Sequence, residues 1–108
     1  MNQQIRQEIN SIVNKLKVSP HSQKIILFGS TATGRATDES DIDLLIIKAT
    51  NLPYHERVTE VRRTLKTKWP LDLIVMTPEE FAKAQTERRL FIRQILKEGT
   101  VLYDTQQS

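Results

Sequence analysis

The sequence predicts an α/β or α+β domain built around a small sheet. Two observations carry that prediction. Segments with helical apolar spacing alternate with short, mostly apolar strands. The chain has 108 residues, enough for one modest core, so a single domain over residues 1–108 is expected. Pattern alone does not give the strand order.

Taken in order, Ile5, Ile9, Ile12, Val13 and Leu16 recur at helical spacing and predict a helix over residues 2–17, ended by Ser19-Pro20-His21. Residues 24–29 read as a short buried strand. Residues 30–33 begin a short helix, 34–40 form a polar loop, and 41–48 form the second strand. Asn51-Leu52-Pro53 breaks the chain. Val58, Val61, Leu65 and Trp69 then predict a helix over 54–68, stopped by Pro70. Arg62, Arg63 and Lys66 fall on its other side and read as a solvated face, with Trp69 as core. Residues 71–76 are the third strand. Thr77 suits an N-cap, Pro78 the first helical position, and Glu80 completes a capping box, with Met76 and Phe81 as a hydrophobic staple. Leu90, Phe91, Ile95 and Leu96 mark a last helix, stopped by Gly99 at C′. Val101-Leu102-Tyr103 reads as a short edge strand, and the polar tail Asp104 to Ser108 is expected to fray.

Composition excludes several classes. There is no cysteine, hence no disulfide framework and no cysteine-based zinc site. His21 and His55 lie far apart in turn-like contexts and read as surface residues. No apolar run approaches the roughly 20 residues of a membrane span, and the N-terminus shows no hydrophobic signal core, so the cytoplasm is the expected location. The net charge of +3 mildly favours anionic partners such as nucleotides or RNA.

The chemistry concentrates in residues 28–44. Gly29-Ser30 closes the apolar run Ile25 to Phe28, and Asp41 and Asp43 open the run Leu44 to Ile47. Carboxylates at i and i+2 of a strand share a face. Two like charges there are costly unless a cation sits between them, and a divalent metal meets that need. The Gly-Ser turn offers N–H groups and a hydroxyl to phosphate oxygens. A phosphate cradle beside metal carboxylates points to nucleotide chemistry. The bland alternative makes Asp38 to Asp41 a turn and Asp43 an edge-strand solubiliser. Asp72, the one charge in the apolar strand Leu71 to Met76, weighs against it.

Gly29, Ser30, Asp41 and Asp43, with Gly34 and Ser40 between them, resemble the nucleotidyltransferase motif of the DNA polymerase beta superfamily. Gly-Ser, ten residues, then Asp-x-Asp is the spacing of its minimal nucleotidyltransferases, some of them antitoxins. The resemblance implies a small mixed sheet with helices packed on one face. It implies that Asp41 and Asp43 bridge two Mg²⁺ ions and that Asp72 holds the catalytic one. Gly29 and Ser30 would hold the outer phosphates, and Gly34, Arg35 and Ser40 would complete the nucleotide site. Close relatives often have basic residues just after Gly-Ser, where this chain has Thr31 and Thr33. The implied activity is transfer of AMP from ATP to an acceptor hydroxyl. The implied acceptor is a tyrosine of a HEPN-type (higher eukaryotes and prokaryotes nucleotide-binding) toxin. Two alternatives stay open: a non-catalytic antitoxin that neutralises its partner by contact, and a nucleotidyltransferase acting on RNA or a small molecule.

Overall fold

Four strands form a central sheet with helices on both of its faces. The computed structural model describes residues 3–18, 22–35 and 41–105. In chain order the elements are α1 (Gln3–Lys17), β1 (Ser22–Phe28), α2 (Ser30–Thr33), β2 (Ile42–Lys48), α3 (Tyr54–Leu65), β3 (Leu71–Met76), α4 (Pro78–Thr86), α5 (Leu90–Glu98) and β4 (Thr100–Asp104). The sheet order is β3-β2-β1-β4. β1 runs antiparallel to both β2 and β4, whereas β2 and β3 are parallel and joined through α3. The sheet is therefore mixed, as expected.

The expectation of helices on one face is corrected. Ile25, Leu27, Leu44, Ile46, Leu73 and Val75 pack against α1 and α3. Ile26, Leu45 and Ile47 point the opposite way and pack against Ala84 of α4 and Ile92 and Ile95 of α5. The cause lies in the strands themselves. Ile25-Ile26-Leu27 and Leu44-Leu45-Ile46-Ile47 are apolar without alternation, so both faces must be covered.

Local signals explain most of the element ends. The Thr77 hydroxyl accepts from the Glu80 N–H at 3.1 Å, and the Glu80 carboxylate accepts from the Thr77 N–H at 2.9 Å, which completes the capping box. α3 stops at Leu65 rather than 68. Lys66 adopts a left-handed φ of 50°, and its N–H donates to the Arg62 carbonyl at 3.1 Å. Trp69 packs against the α1/α3 side of the core, as expected. β4 extends through Asp104, so the tail begins later than expected, and residues 106–108 lie outside the described residues, as do Ser19, Pro20 and His21. Among the described residues no helix is long and apolar enough to cross a membrane.

Two readings near the C-terminus need correction. Of the four residues expected to mark the last helix, only Ile95 is buried. Leu90, Phe91 and Leu96 are 76%, 55% and 39% exposed, and the second inward residue is Ile92. Gly99 has extended backbone, with φ −76°, rather than a left-handed turn. Glycine is required because a Cβ there would collide with the Ile95 and Leu27 carbonyls and the Ile26 side chain.

Arginines from α3 close the outer side of β3. Arg62 donates to the Leu71 carbonyl at 3.0 Å and Arg57 to the Val75 carbonyl at 3.3 Å. Arg57 also forms a two-pronged pair with Glu80 at 2.6 and 3.2 Å, linking α3 to α4 across the sheet. That pairing holds the Glu80 carboxyl below the usual carboxylate range.

The rotation of α5 gives a direct stability test. Ile92→Ala should cost about 2–5 kcal/mol, as deletions in a packed core do. Leu90→Ala should change stability by less than about 0.5 kcal/mol. Urea denaturation of the two variants checks this, and a reversed order would contradict the assigned face.

Candidate active site

Sheet register assembles the site. Asp43 on β2 lies opposite Phe28 of antiparallel β1 and opposite Asp72 of parallel β3. Alternation puts Asp43 on the face of Leu45 and Ile47, and Asp72 on the face of Ile74 and Met76, the side that α4 and α5 cover. Asp41 precedes the first residue of β2 and is exposed, as is Asp72, whereas Asp43 is half-buried. The carboxylates thus stand in an open cleft at one end of the sheet.

Their electrostatics are unfavourable without a cation. The Asp43 carboxyl is pushed up from 3.8 to about 6, first by burial and then by the negative charges of Asp72 and Asp41. Among the described residues no lysine, arginine or histidine forms an ion pair with any of the three. Among the described residues, no three acidic, histidine or cysteine side chains stand close enough together to hold a metal ion as they are placed. The three carboxylates are hard oxygen donors in mutual repulsion, and that donor chemistry fits Mg²⁺ or a similar ion.

The turn after β1 lies against Asp43. Gly29 has φ 72°, and a Cβ on it would fall on the Asp43 carboxylate, so no other residue fits. The Gly29 carbonyl accepts from the N–H groups of Ala32 and Thr33 at 3.1 and 3.2 Å. The N–H groups of Ser30 and Thr31 make no backbone hydrogen bond among the described residues. They remain available to an anion, beside the half-buried Ser30. Gly34 ends the short helix at φ 79° with open space where a Cβ would stand, so conformation rather than crowding selects glycine.

The two threonines have structural roles. Thr31 is buried, and its hydroxyl donates to the Phe28 carbonyl at 3.3 Å, so a long basic side chain has no room there. The Thr33 hydroxyl lies 3.3 Å from Arg35 Nε and accepts from it, which tethers Arg35 beside the turn. Gly29, Ser30, Thr33, Arg35 and Glu98 line one shallow depression. Glu98 was not anticipated from the sequence. It arrives from the end of α5, and no local motif marks it. Ser40 lies outside the described residues.

Comparison with known proteins identifies the lineage. Residues 8–108 match the family model described as "Polymerase beta, Nucleotidyltransferase". The chain belongs to that family. It is a nucleotidyltransferase, related to a Methanocaldococcus jannaschii protein named "Putative protein adenylyltransferase". That relative is 38% identical over 101 residues, which cover 92% of this chain and 94% of the relative. A solved nucleotidyltransferase structure from Sulfolobus solfataricus, itself described as putative, superposes with a TM-score of 0.65. The match covers 97% of this chain and 86% of that one, and at 23% identity it speaks for the fold alone. A chain of the toxin–antitoxin complex MntA–HepT matches with a TM-score of 0.55 and 25% identity, covering 94% of this chain and 74% of that one.

The carboxylate repulsion predicts a pH signature. Because the folded-state value of Asp43 is raised, its favourable contribution is present below pH 4 and lost as pH rises towards 6. Without divalent metal, Asp43→Asn should therefore stabilise the protein at pH 7–8, by roughly 1–2 kcal/mol after allowance for solvent screening. The gain should vanish below about pH 4. Thermal unfolding in chelator across this range tests it, and a variant less stable than wild type at pH 8 would refute the account.

Proposed function

We propose that this nucleotidyltransferase moves AMP from ATP to a hydroxyl of a partner protein, a HEPN-type toxin for which it is the antitoxin. The observation that carries the reading is the register of Asp43 with Asp72 against the Gly29-Ser30 turn. Support for a protein acceptor comes from the adenylyltransferase name of the 38%-identical relative and from the toxin–antitoxin match. The open cleft agrees with a large acceptor. The chain acts as one minimal domain in the cytoplasm.

In the reaction, the acceptor oxygen forms a bond to the α-phosphorus while the bond to the bridging oxygen breaks and pyrophosphate leaves. Asp41, Asp43 and Asp72 would hold two Mg²⁺ ions, which would neutralise charge on the phosphates, and Asp72 would take the proton of the acceptor hydroxyl. Asp72, on the strand beside Asp43 and exposed to the cleft, faces the incoming acceptor. Ser30 and the free N–H groups of its turn orient the outer phosphates, and Arg35, held by Thr33, adds a positive charge beside them. Gly34 ends the short helix of the same turn and would complete the nucleotide site on this side, with Ser40 in the same role. No histidine base is needed, and His55 is an exposed residue of α3.

Removing one carboxylate should remove charge stabilisation, the largest catalytic contribution in such sites. Asp72→Asn is expected to lower turnover by about 10²-fold or more while the fold persists. The assay is transfer of labelled AMP from ATP in Mg²⁺ to the product of the neighbouring gene, read by intact mass. Wild-type turnover in Asp72→Asn would remove it from the site. An unmodified partner alongside efficient labelling of RNA or a small molecule would overturn the toxin reading and leave the enzyme class intact.

Ser30→Ala is a milder test of phosphate placement. Loss of one hydrogen bond to a charged group is worth about 1–2 kcal/mol, and it should appear mainly as a higher KM for ATP. Steady-state kinetics decide this, and a pure kcat defect at unchanged KM would place Ser30 elsewhere.

A further inference from the structure

We infer that the outward face of α5 is the docking surface for the acceptor protein, and that it receives a protein face with an apolar centre and a carboxylate rim. This rests on the reading above that the acceptor is a protein. At about 100° per residue, burial of Ile92 and Ile95 against the sheet turns Leu90, Arg93 and Lys97 away from it. Leu90, Arg93, Gln94, Leu96 and Lys97 line one shallow depression. Val101 of β4, 43% exposed and in register with Ile26, lies on the same side of the sheet. Exposed leucines beside unpaired cations in one depression on a small domain mark a contact surface. Among the described residues Arg93 and Lys97 form no ion pair, Arg88 precedes the helix, and Arg89 is paired with Glu87.

Charge and position together name the occupant. Two copies joined through this face would bring the unpaired cations Arg93 and Lys97 of both copies into one contact, which disfavours self-association. A nucleic acid would leave the leucines uncovered. A carboxylate-rimmed apolar surface satisfies both parts of the patch. The face also continues into the catalytic region. Phe91 packs edge-on to Phe28, the residue before Gly29, with ring centres 5.9 Å apart. Glu98, at the end of the same helix, lines the depression with Gly29 and Ser30. A protein seated on α5 therefore reaches the transfer site.

The test is an amide NMR titration of the full chain without ATP or metal. The probe is a helical peptide with leucines at i, i+3, i+4 and i+7 and glutamates flanking them, and the control has lysines for the glutamates. The acidic peptide should shift amides of α5 and β4 and bind at least tenfold more tightly than the control. Leu90→Glu and the double variant Arg93→Glu/Lys97→Glu should each weaken it at least tenfold while leaving the melting temperature unchanged. Equal binding of both peptides, binding of neither, or shifts confined to another face would overturn the proposal. Self-association or sedimentation with phosphatidylglycerol vesicles that Leu90→Glu abolishes would overturn it too, by naming a different occupant. Because no nucleotide is present, failed docking and failed AMP transfer are separately visible.

Discussion

The parallel pairing of β2 with β3 sets Asp43 against Asp72, and the site is arranged around that repulsion. The two carboxylates cannot drift apart, because the residues that follow them are locked in the core. Leu44 and Ile46 on one strand and Leu73 and Val75 on the other are buried in register. Leu44 and Ile46 fill the α1/α3 side and Leu45 and Ile47 the α4/α5 side, so packing on both faces of β2 keeps the carboxylates next to each other. The fold holds negative charge together at the place where a cation and a polyphosphate would otherwise have to gather it.

Gly29 ties this arrangement to the phosphate side. Its left-handed backbone lets the chain turn immediately after β1, and its missing side chain leaves room for the Asp43 carboxylate. The following threonines then consolidate the turn from within, Thr31 by anchoring to Phe28 and Thr33 by steering Arg35. The Arg35 guanidinium, tethered through Thr33, is thereby kept beside the turn.

Much of this was legible in residue order because the signals are local. The capping box at Thr77 and Glu80, the short helix after Gly29 and the isolated Asp72 on an apolar strand each depend on neighbours within a few positions. The two-sided packing was also written in the chain, in the unalternated runs of β1 and β2, but the family resemblance pointed to one covered face. α5 was harder. Four of its first seven residues are large and apolar beyond Ile95 itself, and only contact with the sheet decides that Ile92 turns inward while Leu90 does not. Glu98 reaches the Gly29-Ser30 depression through the closure of α5 over β1, a tertiary event with no sequence signature. The lysine that ends α3 was hidden for a related reason, since a left-handed backbone at a non-glycine residue is imposed by its surroundings.

The arginines along β3 have a consequence for how the molecule behaves in a crowd. An outermost strand offers a row of unpaired carbonyls on which another chain can grow a sheet. Here two of those carbonyls, on Leu71 and Val75, already hold guanidinium groups, and Arg57 is fastened in turn to Glu80. An extended intruder would have to break that clasp and strand a positive charge before forming its first rung. Strand addition on the β3 side would thus have to displace these guanidinium contacts first, a cost the β4 side does not impose.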